Sequence, residues 1–228
     1  MEHLKKLAAQ TAVQQVKDGM VVGLGTGSTA VYAVEALGDM VKNGTRITGI
    51  PTSEETARQA RARGIPLSTL AEHTEVDLTI DGADEVERGS LNLVKGRGGA
   101  LLREKIVASA SARLIIMVDD SKIVDRLGSR FSVPVEVVTF GWQATARKLE
   151  RLSSRVAMRC TDDGRPFITD GGNYILDCTF APMAHPAETA TELNNIVGVV
   201  EHGIFIGMTS EVIVAAEGGV TILHPEQR

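Results

Sequence analysis

Residues 20–44 read MVVGLGTGSTAVYAVEALGDMVKNG, and this stretch decides the fold class. The run MVVGLG is short, aliphatic and rich in valine, which is typical of a strand buried on both faces. The turn after it is rich in glycine and hydroxyl side chains and leads directly into a helical pattern. A buried strand that passes through a tight turn into a helix is the first half of a βαβ unit, so the stretch predicts a parallel sheet.

The same alternation continues to about residue 130. Three further apolar runs predict buried strands, namely RITGIP at 46–51, VDLTID at 76–81 and RLIIMVDD at 113–120. Two segments between them predict helices, SEETARQARARG at 53–64 and ALLREKIVASASA at 100–112. Ser53 is a suitable N-cap for the first of these, and Gly64 a suitable stop. We therefore expect an α/β fold with a parallel, doubly wound, Rossmann-like sheet.

The pattern changes near Val133. Strand-like and helical segments then follow in the order β-α-β-β-α-β, which is typical of a second, smaller α+β unit with two layers. The tail returns to short apolar strands that we assign to the main sheet. We predict a main catalytic α/β domain of residues 1–130 plus 203–228, and a small α+β domain of residues 131–202.

The composition of the chain argues against several classes of function. The 228 residues carry a formal net charge of −5, so we expect no nucleic-acid partner. No long apolar run predicts a membrane span, and the N-terminal MEHLKKLAAQTAVQQV has the pattern of an amphipathic helix, not of a signal peptide, so we expect a cytoplasmic location. The two cysteines, Cys160 and Cys178, and the five scattered histidines lack metal-ligand spacing. We expect no protein-held metal and no disulfide.

Ligands of open α/β sheets bind beyond the carboxyl ends of the strands, so the residues after each strand are the candidates for a site. After the first strand comes Thr26-Gly27-Ser28-Thr29, at the start of a helix. Glycines allow close backbone approach, a helix N-terminus offers free N–H groups, and hydroxyls add donors, which together predict a phosphate site. The alternative is a plain turn in which Ser28 or Thr29 caps the helix.

The first turn also fits a dinucleotide fingerprint, Gly25-x-Gly27-x-x-Ala30, which would indicate an NAD(P)-binding oxidoreductase. Such a site needs an acidic residue at the end of the next strand. The sequence has Thr52-Ser53 there, and Glu54 is better explained as an acid in the first turn of a helix.

Two more segments carry charged candidates. Asp81 and Asp84 follow the third strand, where they could contact sugar hydroxyls or lie solvated in an Asp-Gly turn that is open to water. Lys95 leads a glycine-rich loop into the helix that carries Glu104. Small neighbours on that helix would desolvate Glu104, raise its pKa and strengthen it as a base; the alternative is a surface glutamate. Lys122 follows the fourth strand and could reach an anion or be solvated.

Taken in order, these segments resemble the type A ribose-5-phosphate isomerases over nearly the whole chain. The matching stretches are GLGTGSTA at 23–30, DGADE at 81–85, LVKGRGGALLREKIVA at 93–108, DDSK at 119–122, FSVPVEV at 131–137 and GVVEHGIF at 198–205. The resemblance implies an aldose–ketose isomerase of the non-oxidative pentose phosphate pathway that interconverts D-ribose 5-phosphate and D-ribulose 5-phosphate through an enediolate. It also implies no cofactor and a homodimer or homotetramer.

The resemblance also implies roles for individual residues. Glu104 would move the proton, and Asp81, Asp84 and Lys95 would complete the catalytic set. The substrate-binding set would be Thr26, Gly27, Ser28, Thr29, Asp81, Gly82, Ala83, Asp84, Lys95, Gly96, Arg97, Gly98 and Lys122. The N-terminal lysines, Lys5 and Lys6, are left without a role.

A third possibility is a sensor that binds a sugar phosphate without converting it. Such regulators usually carry a DNA-binding helix-turn-helix, and this chain has neither spare length nor basic charge for one.

Overall fold

A computed structural model describes residues 1–226 of the chain. The α-helices in this range are α1 (Glu2–Val13), α2 (Ala30–Lys42), α3 (Glu54–Ala62), α4 (Leu101–Ser109), α5 (Trp142–Leu149) and α6 (Pro186–Asn194). The strands are β1 (Val21–Leu24), β2 (Thr48–Pro51), β3 (Leu78–Gly82), β4 (Glu85–Glu87), β5 (Leu93–Val94), β6 (Leu114–Asp119), β7 (Ile123–Val124), β8 (Val133–Val137), β9 (Arg155–Met158), β10 (Tyr174–Thr179), β11 (Val199–His202), β12 (Ile204–Phe205), β13 (Glu211–Ala216) and β14 (Gly219–Leu223). Within residues 1–226, none of the helices has the length and apolar character needed to cross a bilayer.

The main sheet has six strands in the order β14-β13-β6-β3-β1-β2. All neighbours are parallel except β13 and β14, which are antiparallel. The parallel part confirms the prediction from the aliphatic runs, and β6 is buried along its whole length. The antiparallel edge arises because only two residues, Glu217 and Gly218, join β13 to β14, and a loop that short cannot make a parallel crossover.

The order of the strands places the site. From β1 the chain passes through α2 to β2 on one side, and then crosses to β3 on the other side of β1. A crevice forms at such a reversal, outside the carboxyl ends of the strands. The loops after β1, β3 and β6 therefore meet at one edge of the sheet.

The small sheet has the order β11-β8-β10-β9 and is antiparallel throughout. Helices α5 and α6 bury Leu149 and Leu193 against this sheet, in a core with Val135 and Leu176. This arrangement confirms the predicted β-α-β-β-α-β unit. All four strands fall inside 131–202, and we propose the predicted domain division for this chain; its last two residues, 227 and 228, lie outside the described residues.

A third sheet, in the order β12-β5-β4-β7, joins the other two. Only β12 was predicted as a strand, and its assignment with the tail to the main sheet is wrong, because it pairs with β5. The other three strands of this sheet, of two or three residues, are too short to show a periodic pattern. Its side chains alternate between the two cores: Leu93 and Phe205 pack with the main sheet, and Val94 and Ile204 pack with the small sheet. Lys95 follows Val94 directly, so this sheet fixes where the glycine-rich loop begins.

Candidate active site

A cavity of about 360 Å³ opens at the carboxyl ends of β1, β3 and β6. It brings together loops that are far apart in the sequence. Every predicted site residue except Asp81 lines it, and Met1, Lys5 and Asp119 line it as well.

A buried cluster of three charges forms the floor of this site. The Nζ atom of Lys95 lies 2.9 Å from Oδ2 of Asp81 and 3.5 Å from Oε2 of Glu104. The three side chains are only 2–3% exposed. Lys95 also donates to the carbonyl oxygen of Gly82 at 2.6 Å. The cluster thus holds two carboxylates and one ammonium away from water.

Asp81 lies beneath the cavity because its carboxylate is bound by hydrogen-bond donors within the fold. Oδ1 accepts the backbone N–H groups of Thr26 at 3.1 Å and Gly82 at 2.7 Å, while Oδ2 faces Lys95. The carboxylate packs directly against the backbone of Gly25. A Cβ atom at this position would lie 2.2 Å from Oδ1, so only glycine fits there. The expectation of a turn open to water is therefore wrong for Asp81, which is 1% exposed.

Glu104 stands in the first turn of α4, with its carboxylate buried beside Lys95. Burial raises its pKa from the ordinary 4.5 to about 8; Lys95 opposes the rise, and the negative charges of Asp81 and Asp84 add to it. Oε2 has no hydrogen-bond partner within residues 1–226. Burial by itself would lower the pKa of Lys95, but the charges of Asp81 and Glu104 raise it instead, so Lys95 stays protonated.

The other end of the cavity is built from the turn at residues 26–29. Thr29 occupies the N-cap position of α2 without a side-chain capping bond, so the plain-cap alternative is not what the structure has. The hydroxyl of Ser28 instead accepts a hydrogen bond from Nζ of Lys5 at 2.8 Å. Gly27 has a φ of +113°, which other residues rarely adopt.

Lys5 lines the cavity, although no role could be assigned to it from the sequence. Helix α1 buries Leu4, Ala8 and Ala12, and Lys5 lies at the edge of that apolar face, where it reaches the cavity. Lys6 is exposed and does not line the cavity. The sequence pattern of α1 predicts an amphipathic helix. It does not predict where that helix packs, so the position of Lys5 at the cavity could be seen only in the folded structure.

Two cations share one aromatic ring at the rim. The guanidinium of Arg97 lies 4.8 Å, and Nζ of Lys122 lies 4.9 Å, from the centre of the Phe131 ring. Lys122 sits in a single 3₁₀ turn, Asp120–Lys122, directly after β6. The backbone N–H of Arg97 donates to Oδ2 of Asp84 at 3.0 Å.

A cavity with a cationic, hydroxyl-lined end and a buried base beside an ammonium suits a small phosphorylated substrate that undergoes proton transfer. Comparison with known proteins agrees. The family described as ribose 5-phosphate isomerase A (phosphoriboisomerase A) matches residues 48–219. The chain belongs to the ribose 5-phosphate isomerase A family.

Individual members of the family are similar to this chain over nearly their full length. A ribose-5-phosphate isomerase A from Gloeobacter violaceus is 62% identical over 99% of this chain and 97% of its own. A solved ribose 5-phosphate isomerase from Plasmodium falciparum is 42% identical, with a TM-score of 0.94 over 100% of both chains. A D-ribose-5-phosphate isomerase solved in complex with phospho-erythronic acid is 40% identical, with a TM-score of 0.94 over 98% of both chains.

The alternatives to the ribose 5-phosphate isomerase family find no support. Glu54 begins α3, as predicted, and its carboxylate pairs with Nη1 of Arg103 at 2.9 Å. Glu54 is thus engaged in an ion pair and lies beyond the end of β2, where a dinucleotide site would need its ribose-binding acid.

The raised pKa of Glu104 predicts a pH-dependent stability. Between pH 4.5 and about 8 the folded protein keeps a proton on Glu104 that the unfolded chain releases, so the free energy of unfolding falls as pH rises through this window. In the variant Glu104→Gln the side chain is neutral at every pH, so the free energy of unfolding does not fall for this reason. The free energy of unfolding of the variant should therefore rise relative to that of the wild type as pH increases from 5 to 8.

Urea unfolding at pH 5, 6, 7 and 8 measures this difference. Glu192→Gln, a change at an exposed position of α6, is the matched control and should show no trend. A gap between Glu104→Gln and wild type that stays constant over the range would contradict the buried, protonated state.

Proposed function

We propose that this chain interconverts D-ribose 5-phosphate and D-ribulose 5-phosphate by proton transfer, without a cofactor or metal, in the non-oxidative pentose phosphate pathway. The observation that carries the proposal is the buried Lys95–Glu104 pair beside a cavity that Lys5, Ser28 and Lys122 also line. The relative solved with phospho-erythronic acid supports it, since that ligand combines a phosphate with a sugar acid. The cytoplasmic location stays a prediction from the N-terminal sequence.

Glu104 is the proposed base. An aldose becomes a ketose when the proton on C2 is removed and one is delivered to C1, and a single carboxylate on one face of the enediolate can do both. A base works best when its pKa is near the working pH, and a value of about 8 meets that condition. The Oε2 atom faces Lys95 at 3.5 Å but makes no hydrogen bond within residues 1–226, so it can hold the proton between the two steps.

Lys95 is the proposed electrostatic partner. Its ammonium has three N–H donors, of which Asp81 and the carbonyl of Gly82 take two. The third can turn from Glu104 to a substrate oxygen as negative charge develops there. A fixed donor in a site without water is worth about 3–4 kcal/mol of barrier lowering.

Asp84 is the proposed contact to the sugar hydroxyls. It lines the cavity, is partly exposed, and holds the N–H of Arg97 through Oδ2. Oδ1 has no hydrogen-bond partner in residues 1–226 and so can accept from the substrate. Asp81, with both oxygens engaged, acts in this proposal by holding Lys95.

We predict that wild-type protein converts ribose 5-phosphate in excess EDTA, because the ammonium of Lys95 takes the electrophilic role that a metal would otherwise have. Glu104→Gln keeps the shape and removes the basicity, so turnover should fall at least about 100-fold. The measurement is ribulose 5-phosphate formation under both conditions. Glu192→Gln, which changes an exposed glutamate, should keep wild-type turnover.

Two outcomes would count against this assignment. EDTA-sensitive turnover that a divalent metal restores would exclude the metal-free mechanism. Glu104→Gln with more than about a tenth of wild-type turnover, together with an inactive Asp81→Asn, would reassign the base to Asp81.

We predict that the phosphate provides much of the binding. Lys5→Gln removes the ammonium beside Ser28 and should raise KM for ribose 5-phosphate about tenfold, because the bound phosphate loses a cationic contact. Lys6→Gln is the matched control, because Lys6 is the next residue and does not line the cavity. Steady-state kinetics decide; equal KM values for the two variants would remove Lys5 from the site.

We propose that the chain forms a homodimer or homotetramer through an apolar patch on the small domain. Val138, Phe140, Val197 and Val200 are exposed, Phe140 by 92%, and Val138 N–H donates to the carbonyl of Gly198 at 2.9 Å, which brings the two segments together. Exposed apolar groups clustered in this way mark interaction surfaces.

Phe140→Asp should therefore convert the oligomer to a smaller species in sedimentation velocity. Ile168→Asp, at an apolar residue that is 62% exposed on the Cys160–Tyr174 hairpin, is the control and should leave the assembly intact. A wild-type monomer at micromolar concentration would refute the proposal.

A further inference from the structure

Arg159 of the small domain hydrogen-bonds to the backbone of the glycine-rich loop of the site. Its Nη1 atom donates to the carbonyl oxygen of Gly96 at 2.9 Å and to that of Arg97 at 3.1 Å. Arg159 directly follows β9 of the small sheet, 62 residues beyond Arg97 along the chain. Neither its sequence position nor any motif had pointed to the site.

Arg159 is itself held rigidly. The carboxylate of Asp177, on the neighbouring strand β10, accepts a hydrogen bond from Nε of Arg159 at 2.9 Å and a second one from Nη2. This is the bidentate contact of a guanidinium with a carboxylate. The backbone N–H of Arg159 donates to Ile175, and its carbonyl accepts from Phe167. The side chain is 15% exposed. A planar, fixed guanidinium of this kind can set the direction of the groups it binds.

The direction matters because the C=O and N–H of a trans peptide point opposite ways. In the peptide between Gly96 and Arg97, the carbonyl faces Arg159 and the N–H donates to Asp84 at 3.0 Å. In the next peptide, the carbonyl of Arg97 also faces Arg159, so the N–H of Gly98 points away from it. Gly98 lines the active-site cavity, and its N–H donates to no backbone acceptor within residues 1–226.

We propose that Arg159, fixed by Asp177, is a positioning residue for the isomerase reaction: it turns two successive peptides of the loop so that Arg97 N–H orients Asp84 and Gly98 N–H faces the substrate. The role rests on the proposed function and places part of the catalytic geometry under control of the small domain. Arg159 itself does not line the active-site cavity.

The effect of losing Arg159 should be partial. Lys95, at the start of the loop, is held separately, since its N–H donates to the carbonyl of Gly203 at 2.8 Å and its ammonium binds Asp81. The phosphate end, with Lys5 and Ser28, has no contact with Arg159. Loss of the guanidinium should therefore misplace the loop beyond Lys95 and leave the anchoring of the substrate in place.

Arg159→Ala tests the role in the full-length protein. We expect kcat for ribose 5-phosphate to fall about 10–100-fold, which is typical of a misplacement of about 1 Å, with KM changed less than about threefold. A cavity of about 280 Å³ adjoins Arg159 and Asp177, so millimolar methylguanidinium should enter the vacated space and raise kcat of the variant at least about fivefold. Arg155→Ala removes an exposed guanidinium from the same strand and should match wild type with and without methylguanidinium.

Two results for Arg159→Ala would overturn the inference. A kcat for Arg159→Ala within about threefold of wild type overturns the inference. So does a loss of activity that follows a loss of folded protein in circular dichroism and does not respond to methylguanidinium, because a purely structural contact behaves in that way. Wild-type turnover in the same assay tests the proposed function separately: an inactive wild type would refute that function, and this role with it.

Discussion

The buried ammonium of Lys95 between two carboxylates is the interaction on which the rest of the site depends. Charges removed from water are tolerated only when partners satisfy them, and here Asp81 is satisfied completely while Glu104 is not. The two carboxyl groups therefore have different surroundings. Asp81 keeps Lys95 protonated, and Glu104 is left with a raised pKa in the range where a base can accept and return a proton.

Such a cluster needs backbone that comes unusually close to side chains. At Gly25 a Cβ would collide with Asp81, and at Gly203 it would lie 2.1 Å from the carbonyl oxygen of Lys95. The two glycines lie on different loops, one after β1 and one between β11 and β12, so the buried charges are enclosed by the main domain on one side and by the connection to the small domain on the other. The charge cluster therefore depends on how the two cores are joined, which is the role of the third sheet.

The sequence predicted the parts of the molecule whose signal is local. Buried strands, the helices after them and the candidate residues at strand ends each show in a short window, so Lys95 and the turn at Thr26 were candidates from the sequence. For Glu104 the local pattern left a surface glutamate open, and its proposed role came from the resemblance to the family. Interactions across the fold were not found: the inward turn of Asp81 depends on the N–H of Thr26, 55 residues away, and the reach of Lys5 to Ser28 depends on where α1 docks. Arg159 is the extreme case, since nothing near it in the sequence resembles a site.

The two ends of the cavity are mechanically linked through Thr26. Its hydroxyl lies within hydrogen-bond distance of Thr52 and Ser53, and also of Thr56, whose own proton goes to the carbonyl of Gly25. Thr52 gives its proton to the carbonyl of Leu24, so Thr26 must donate into this cluster and its rotamer is fixed. The N–H of the same residue holds Asp81, and the next three residues form the proposed phosphate end. A phosphate bound there rests on the turn that orients the partner of Lys95, so binding energy far from the reacting carbons can support the geometry at the base.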